Sequence, residues 1–200
     1  EFRRVLFRSA SPPTALATTA TVTTTGNSSI TLASANSQYV YVYGISFVAG
    51  SGATGTASII ANGGKAVFTS CDFTIATTGA SSLMNVNNSA GNVEYVNCGF
   101  KFGATGQGFS NNGVTSIYGG RILSGGTSPT ALFTTLSTMP LLIDGMDLSN
   151  ASSSVNIASA TGLCNVLVMR NCKLPASWSG SLHSGTPGVG ARFEMFNCDS

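Results

Sequence analysis

The stretch VEYVNCGF, residues 93–100, decides how this chain is read, because the chain keeps writing it. It returns with small changes as AVFTSCDF at 66–73, TSIYGGRI at 115–122, LLIDGMDL at 141–148, LVMRNCKL at 167–174 and FEMFNCDS at 193–200. Each copy alternates apolar residues, then places Asn, Gly or Ser, then often Cys. With Cys98 as the reference, the same column holds Ile45, Cys71, Cys98, Gly120, Met146, Cys172 and Cys198. Subtracting successive numbers gives spacings of 26, 27, 22, 26, 26 and 26. So regular a period marks one supersecondary unit stacked on copies of itself.

The columns around the reference say how each unit is built. Five residues before it lie Val40, Ala66, Val93, Thr115, Leu141, Leu167 and Phe193; three before lie Val42, Phe68, Tyr95, Ile117, Ile143, Met169 and Met195. Two after it lie Phe47, Phe73, Phe100, Ile122, Leu148 and Leu174. Positions −5 and −3 share one face of a strand, and so do 0 and +2. The step of three between −3 and 0 would turn the second pair outward unless the chain bends. The bend falls at Gly44, Ser70, Asn97, Gly119, Gly145, Asn171 and Asn197. Gly and Asn enter the left-handed region at least cost, so this column reads as a one-residue corner between two short strands.

A further strand-like run follows in TASIIA (56–61), SLMNV (82–86), ALFTTL (131–136) and SVNIA (154–158), with Gly, Ser, Thr and Asn filling the connections. No stretch has helical periodicity. The chain is therefore expected to be all-β, a parallel β-helix of about seven coils with a repeat near 26 residues, occupying 40–200. The x-V-x-[NG]-C-x-[FL] text resembles the right-handed parallel β-helix repeats of the pectin-lyase-like superfamily. MPLLIDGMDLSN, NVLVMRNCKL and RFEMFNCDS are also similar to text in large bacteriophage virion proteins. Residues 10–39 fit the columns poorly and read as an irregular Thr/Ser-rich opening segment, either a coil or a hairpin around Gly26 and Asn27. Ser200 falls where six earlier coils place Phe, Ile or Leu, so the helix reads as truncated at its C-terminal end.

The first nine residues, EFRRVLFRS, share nothing with the text that follows and resemble a translated sequencing adapter, so they are set aside. They carry Glu1, Arg3, Arg4 and Arg8; removing these from 9 basic and 7 acidic residues leaves 6 and 6, a net charge of zero. No electrostatic footprint for nucleic acid or an anionic membrane remains. No apolar run approaches the roughly 18 residues that span a bilayer. Charged residues make up 8% of the chain against roughly 25% in ordinary globular proteins. With 42% hydrophobic residues, that value fits a repeat protein rather than a disordered one.

The five cysteines read as buried free thiols acting as small hydrophobes. Cys71 with Cys98, and Cys172 with Cys198, occupy neighbouring coils, where in-register side chains point the same way rather than at each other. There is no C-x-x-C, and the single His183 cannot complete a zinc set, so no metal or other cofactor is expected. Cys164 lies outside the column. His183, in SGSLHSGTPGVG, reads as a solvent-facing loop residue, and GATGQG (103–108) as a loop without the phosphate-cradling pattern. Trp178 reads as a cover for a coil edge.

The column after the reference holds Ser46, Asp72, Gly99, Arg121, Asp147, Lys173 and Asp199, whose signs alternate from Arg121 onward. Asp144 and Arg170 make another opposite-sign pair on successive coils. These charges read as a surface ladder of ion pairs. The functional alternative is an acid/base or calcium site built from Asp144, Asp147, Arg170 and Lys173, the kind of site that resemblance to polysaccharide-cleaving β-helix enzymes implies. The Asn-Thr-Asp, Asp-Asp, Gly-His-Gly and Arg-Ile-Lys signatures of polygalacturonase-like enzymes are absent. On the outward columns, Tyr41, Tyr43, Val67, Val96, Tyr118, Leu142, Val168 and Phe196 form an apolar strip along one side of the rod. Such a strip marks an interface with another subunit or with a flanking part of the same chain. The expected function is a non-enzymatic structural segment of a virion or bacterial surface protein. The alternative is a carbohydrate-active β-helix, a lyase or hydrolase fragment or a fibre that binds surface glycan.

Overall fold

A computed structural model describes residues 20–33, 39–61, 64–86, 91–136, 140–159 and 166–200. The adapter-like residues 1–9 and Cys164 lie outside the described residues. Within these limits every regular element is a β-strand, and every strand pairing is parallel. The strands lie in three sheets, and each turn of the chain visits all three in order. The long sheet has seven strands: Tyr39–Tyr43, Lys65–Thr69, Asn92–Val96, Val114–Tyr118, Leu141–Asp144, Val166–Arg170 and Arg192–Phe196. The corner sheet follows at once, running from Ala20–Thr25 through Ile45–Ser51, Asp72–Ile75 and Gly99–Lys101 to Arg121–Ile122. Its ladder continues as single bridges from Arg121 to Asp147, Lys173 and Asp199. The far sheet holds Ile30–Ala33, Ile59–Ala61, Leu83–Val86, Gly108–Asn111, Ala131–Leu136 and Asn156–Ala158. The molecule is a parallel β-solenoid of about 6 turns. Seven corners bound six intervals, which is why the column of reference residues suggests about one coil more.

The corner is a backbone device. All seven residues before the reference have positive φ: Gly44 at 68°, Ser70 at 53°, Asn97 at 53°, Gly119 at 67°, Gly145 at 74°, Asn171 at 53° and Asn197 at 48°. One left-handed residue reverses which face points inward, so the chain turns from the long sheet to the corner sheet while its apolar columns stay in the lumen. Ser70 adopts the same angle as the asparagines without being one of the favoured types.

The register repeats as the columns require. Val42 pairs with Phe68, Phe68 with Tyr95, Tyr95 with Ile117, Ile117 with Ile143, Ile143 with Met169 and Met169 with Met195. Like side chains therefore stack on like. Phe47, Phe73 and Phe100 form one ring stack with centroids 5.3 and 5.8 Å apart, and Phe68 lies on Tyr95 at 5.6 Å. The two stacks meet edge to face, as at Phe73 and Tyr95. From the far sheet, Phe109 stacks on Phe133 at 4.8 Å. Each buried ring contributes about 1.5–3 kcal/mol by leaving water, so the lumen supplies most of the driving force for this repeat.

Of the two alternatives for the opening segment the structure shows the irregular coil, and two other features differ from the sequence expectation. Ala20–Thr25 and Ile30–Ala33 do not form a hairpin with each other; each pairs in parallel with a strand of the next coil, with register shifts in both ladders. Gly26, with φ of 60°, is a turn inside that coil. GATGQG is not a free loop: Gln107 is fully buried, and Gly108 opens a far-sheet strand. The Gln107 amide nitrogen donates to the carbonyls of Thr77 (2.7 Å) and Gly79 (3.0 Å), and its oxygen accepts from the Gly103 amide. This bracket ties the connector of the short, 22-residue interval to the connector of the coil before it. His183 continues the far sheet by bridging to Ala158, and its ring stacks on Phe193 at 4.6 Å. An apolar partner and a ladder position hold it, so it does not face solvent freely.

Candidate functional site

The strongest chemical candidate in the sequence is the charged group Asp144, Asp147, Arg170 and Lys173. The structure divides it into two pairs on either side of the corner at Gly145. Asp144 ends a long-sheet strand, and Arg170 lies beside it in register one coil on. The guanidinium reaches the Asp144 carboxylate through both Nε and a terminal nitrogen at 2.9 Å. The other carboxylate oxygen accepts from the Asn171 amide at 2.9 Å, and the Asn171 oxygen accepts from Asn197 at 2.8 Å. The corner asparagines thus add a side-chain ladder to their backbone role. Their type and spacing were visible in the sequence, but this ladder was not read from them.

Asp147 stands on the corner sheet. It accepts from the Ser149 amide at 2.8 Å and lies 3.9 Å from the Lys173 ammonium. The Asn171 hydrogen bond, ahead of the Arg170 contribution, holds the Asp144 carboxyl below the usual range. Partial burial acts to raise Asp147, but the Ser149 hydrogen bonds and the Lys173 charge outweigh it and leave that carboxyl lowered too. Both groups are therefore ionised at neutral pH. A general acid needs a raised carboxyl, and neither side chain provides one.

Arg121 departs from the expected alternation. Its guanidinium lies 3.7 Å from Asp72, two coils back, and not with its ladder neighbour Asp147. Gly99 occupies the intervening coil, and a Cβ there would collide with the Asp72 carboxylate. The missing side chain opens the path between Arg121 and Asp72. All three inter-coil ion pairs are largely exposed, and such pairs are worth about 0–1 kcal/mol each.

The thiols serve the corner. Among the described residues Cys71, Cys98, Cys172 and Cys198 are free, and the first three are buried. Each donates to the carbonyl two residues earlier: Cys71 to Thr69 (3.5 Å), Cys98 to Val96 (3.5 Å), Cys172 to Arg170 (3.1 Å) and Cys198 to Phe196 (3.3 Å). Cys98 also reaches the Phe68 carbonyl of the preceding coil at 3.3 Å. A Cys in this column is thus a small apolar group that also carries a weak donor. Contact with Cys71, and then burial, push the Cys98 thiol up; burial pushes Cys172 up to about 11. Among the described residues no group of three or more His, Cys, Asp and Glu is placed to hold a metal ion.

The remaining candidates are spread out. Trp178 donates its indole N–H to the Val155 carbonyl at 2.8 Å and packs on the core, fastening a connector to the coil before it. A shallow groove of about 400 Å³ runs between the corner and far sheets, floored by Phe102 and by Gly103, Gly125 and Gly126, with Lys101 at its side. On the outer face of the long sheet, Tyr41, Tyr43 and Phe196 are 61%, 52% and 52% exposed, and Tyr39 joins them at 58%. Val67, Val96, Tyr118, Leu142 and Val168 lie between them and are half-buried by their neighbours. The strip zigzags between the two outward columns, with Glu94, Ser116, Asp144 and Arg170 at intervening positions, and its most open aromatic groups lie at its two ends.

No family model matches the chain, and neither a curated protein nor a solved structure does.

Proposed function

We propose that this chain is a structural, non-enzymatic β-solenoid segment of an elongated surface or virion protein. The observation that supports it most is the disposition of charge. Asp144 with Arg170 and Asp147 with Lys173 bridge the same two coils on either side of the corner at Gly145, and Asp72 with Arg121 lies further back; each carboxylate is committed to a basic partner, and none of them lines the groove beside Phe102. Catalytic carboxylates are usually found with environments that drive their pKa values apart; here both shifted carboxyls move down together. On this reading the winding is right-handed, as crossovers between parallel strands nearly always are. The kinship to pectin-lyase-like repeats is then one of architecture, with a place outside the cell or on a virion. The test is incubation of the 200-residue chain with a panel of acidic polysaccharides, followed by ultraviolet absorbance for unsaturated products and a reducing-end assay. No turnover is expected. Turnover that Asp144→Asn abolishes would overturn the proposal.

One observation favours a second reading, a fibre that binds surface glycan. Tyr39, Tyr41 and Tyr43 point outward from one strand, and each is more than half exposed. Aromatic faces of this kind stack on the apolar faces of sugars. A glycan array in which binding disappears with Tyr41→Ala would support that role without any cleavage.

A further inference from the structure

We infer that the groove beside Phe102 is a binding site for a small phosphate monoester, held by Lys101 together with donors from the coils on either side. The inference goes beyond the structural reading above and does not depend on it. The walls of the groove come from three successive coils: Thr74 on the strand Asp72–Ile75, Lys101 on Gly99–Lys101, and Gly125 with Gly126 just after Arg121–Ile122. Each of these coils has a described neighbour on both sides. Thr74 and Lys101 are ladder partners, so they project from the same face one coil apart. The volume of about 400 Å³ falls within the roughly 300–1,000 Å³ of small-ligand sites.

The glycines fix where the lysine lies. Gly125 has φ of 70°, a region that other residues enter at a cost, and a Cβ built there would stand 3.6 Å from the Lys101 ammonium nitrogen. At Gly126 a Cβ would press on the Lys101 stem at 2.9 Å and on the Phe102 carbonyl at 2.8 Å. The LSGGTS text at 123–128 thus clears a bed across which the Lys101 side chain is laid, half-buried, with its charge at the groove.

The groove's chemistry selects the ligand. Among the described residues Lys101 has no carboxylate within ion-pair distance, and no Asp, Glu or His lines the groove. Asp72, on the same outer face, is paired with Arg121. The chain therefore leaves the Lys101 charge uncompensated. Among the described residues the Thr74 hydroxyl and the Gly125 amide have no hydrogen-bond acceptor either. Ile75 and Phe102 are 0% and 1% exposed, so hardly any apolar surface is offered for stacking. One ammonium and two neutral donors, supplied from three coils, suit a tetrahedral anion whose terminal oxygens point in three directions. A planar carboxylate offers only two oxygens, both in one plane. Lysine serves phosphate as a point charge, without the fixed fork of arginine. With no carboxylate or imidazole at the groove to move a proton, the site binds an ester without cleaving it.

The test uses the full 200-residue chain, isotope-labelled for NMR and titrated with methyl phosphate at constant ionic strength. The amide resonances of Lys101, Gly125 and Thr127 are expected to shift and to saturate with one common dissociation constant. Acetate is expected to bind at least about tenfold more weakly, the loss of about one charge-assisted hydrogen bond. Lys101→Met, which keeps the stem, is expected to weaken methyl phosphate by at least about tenfold, and Thr74→Val, which keeps the shape, by about threefold. Lys65→Met, on the long sheet, should leave binding unchanged, and unmoved resonances elsewhere show that each variant is folded. Shifts that rise without saturating, equal affinity for acetate, or saturation that survives Lys101→Met overturn the inference. Inorganic phosphate separates the free ion from the ester: methyl phosphate is expected to bind at least as tightly, and a clear preference for the inorganic ion would overturn the assignment to an ester.

Discussion

Asn97-Cys98 and Asn197-Cys198 are the same words in two places. Their corners have nearly the same shape, with φ of 53° and 48°, and both thiols donate to the carbonyl two residues back. Their surroundings differ. Tyr95 is buried between coils, whereas its counterpart Met195 is 41% exposed; Cys98 is fully buried, whereas Cys198 is only partly so. The earlier coil has a neighbour on each side, and the last described coil has one. Local conformation is therefore set within the repeat, while burial is supplied by the next repeat. That is the energetic pattern of a one-dimensional solenoid.

The largest test of this contrast compares two aromatic residues. Phe100→Ala should cost about 3–5 kcal/mol by opening a cavity between the Phe73 ring and the lumen. In the monomer Phe196→Ala, on the outer face of the last described coil, should stay within about 0.5 kcal/mol. Denaturant unfolding of both variants reads the difference, and equal losses would break the comparison. The corner comes next. Asn97→Val forces a β-branched residue into the left-handed region and should cost about 1–2 kcal/mol, whereas Asn97→Gly should cost little. The midpoint of thermal unfolding separates them.

A smaller effect is expected at the thiols. Cys98→Ala loses packing and leaves the Phe68 and Val96 carbonyls without the sulfur donor, for about 1 kcal/mol or somewhat more, while Cys198→Ala should be near neutral. Intact mass of the native protein should show all thiols reduced; a loss of two hydrogens for a Cys pair would contradict this. The smallest effect is the pH dependence of the Asp144 pair. A carboxyl lowered in the folded state stabilises it above the unfolded value near ~3.9, and that contribution is lost as pH falls through the folded pKa. Acid titration of stability should therefore show a slight loss below about pH 4 that Asp144→Asn removes.

Much of this fold was legible because a solenoid writes its contacts at a fixed sequence interval. The corner column, the inward columns and four of the far-sheet runs all follow from the period near 26. Gly108–Asn111 was not legible. It is a four-residue strand of Gly, Phe, Ser and Asn, without β-branched residues, inside the one shortened interval. The coil at Ala20–Ala33 was obscured because no long-sheet strand among the described residues precedes its corner-sheet strand. At the charged site the sequence placed Asp144 beside Arg170 correctly, since ladder register alone decides that pair. It could not foresee Arg121 reaching past Gly99 to Asp72, because side-chain reach is not carried in the register.

Hydrogen–deuterium exchange on the 200-residue chain tests the nearest-neighbour account most directly. The account predicts that the amides of Asn92–Val96, bonded between two coils, exchange orders of magnitude more slowly than those of Arg192–Phe196, with protection falling toward the last coil. Uniform protection from Asn92 to Phe196 would contradict it and would mean that the rod opens only as a single unit.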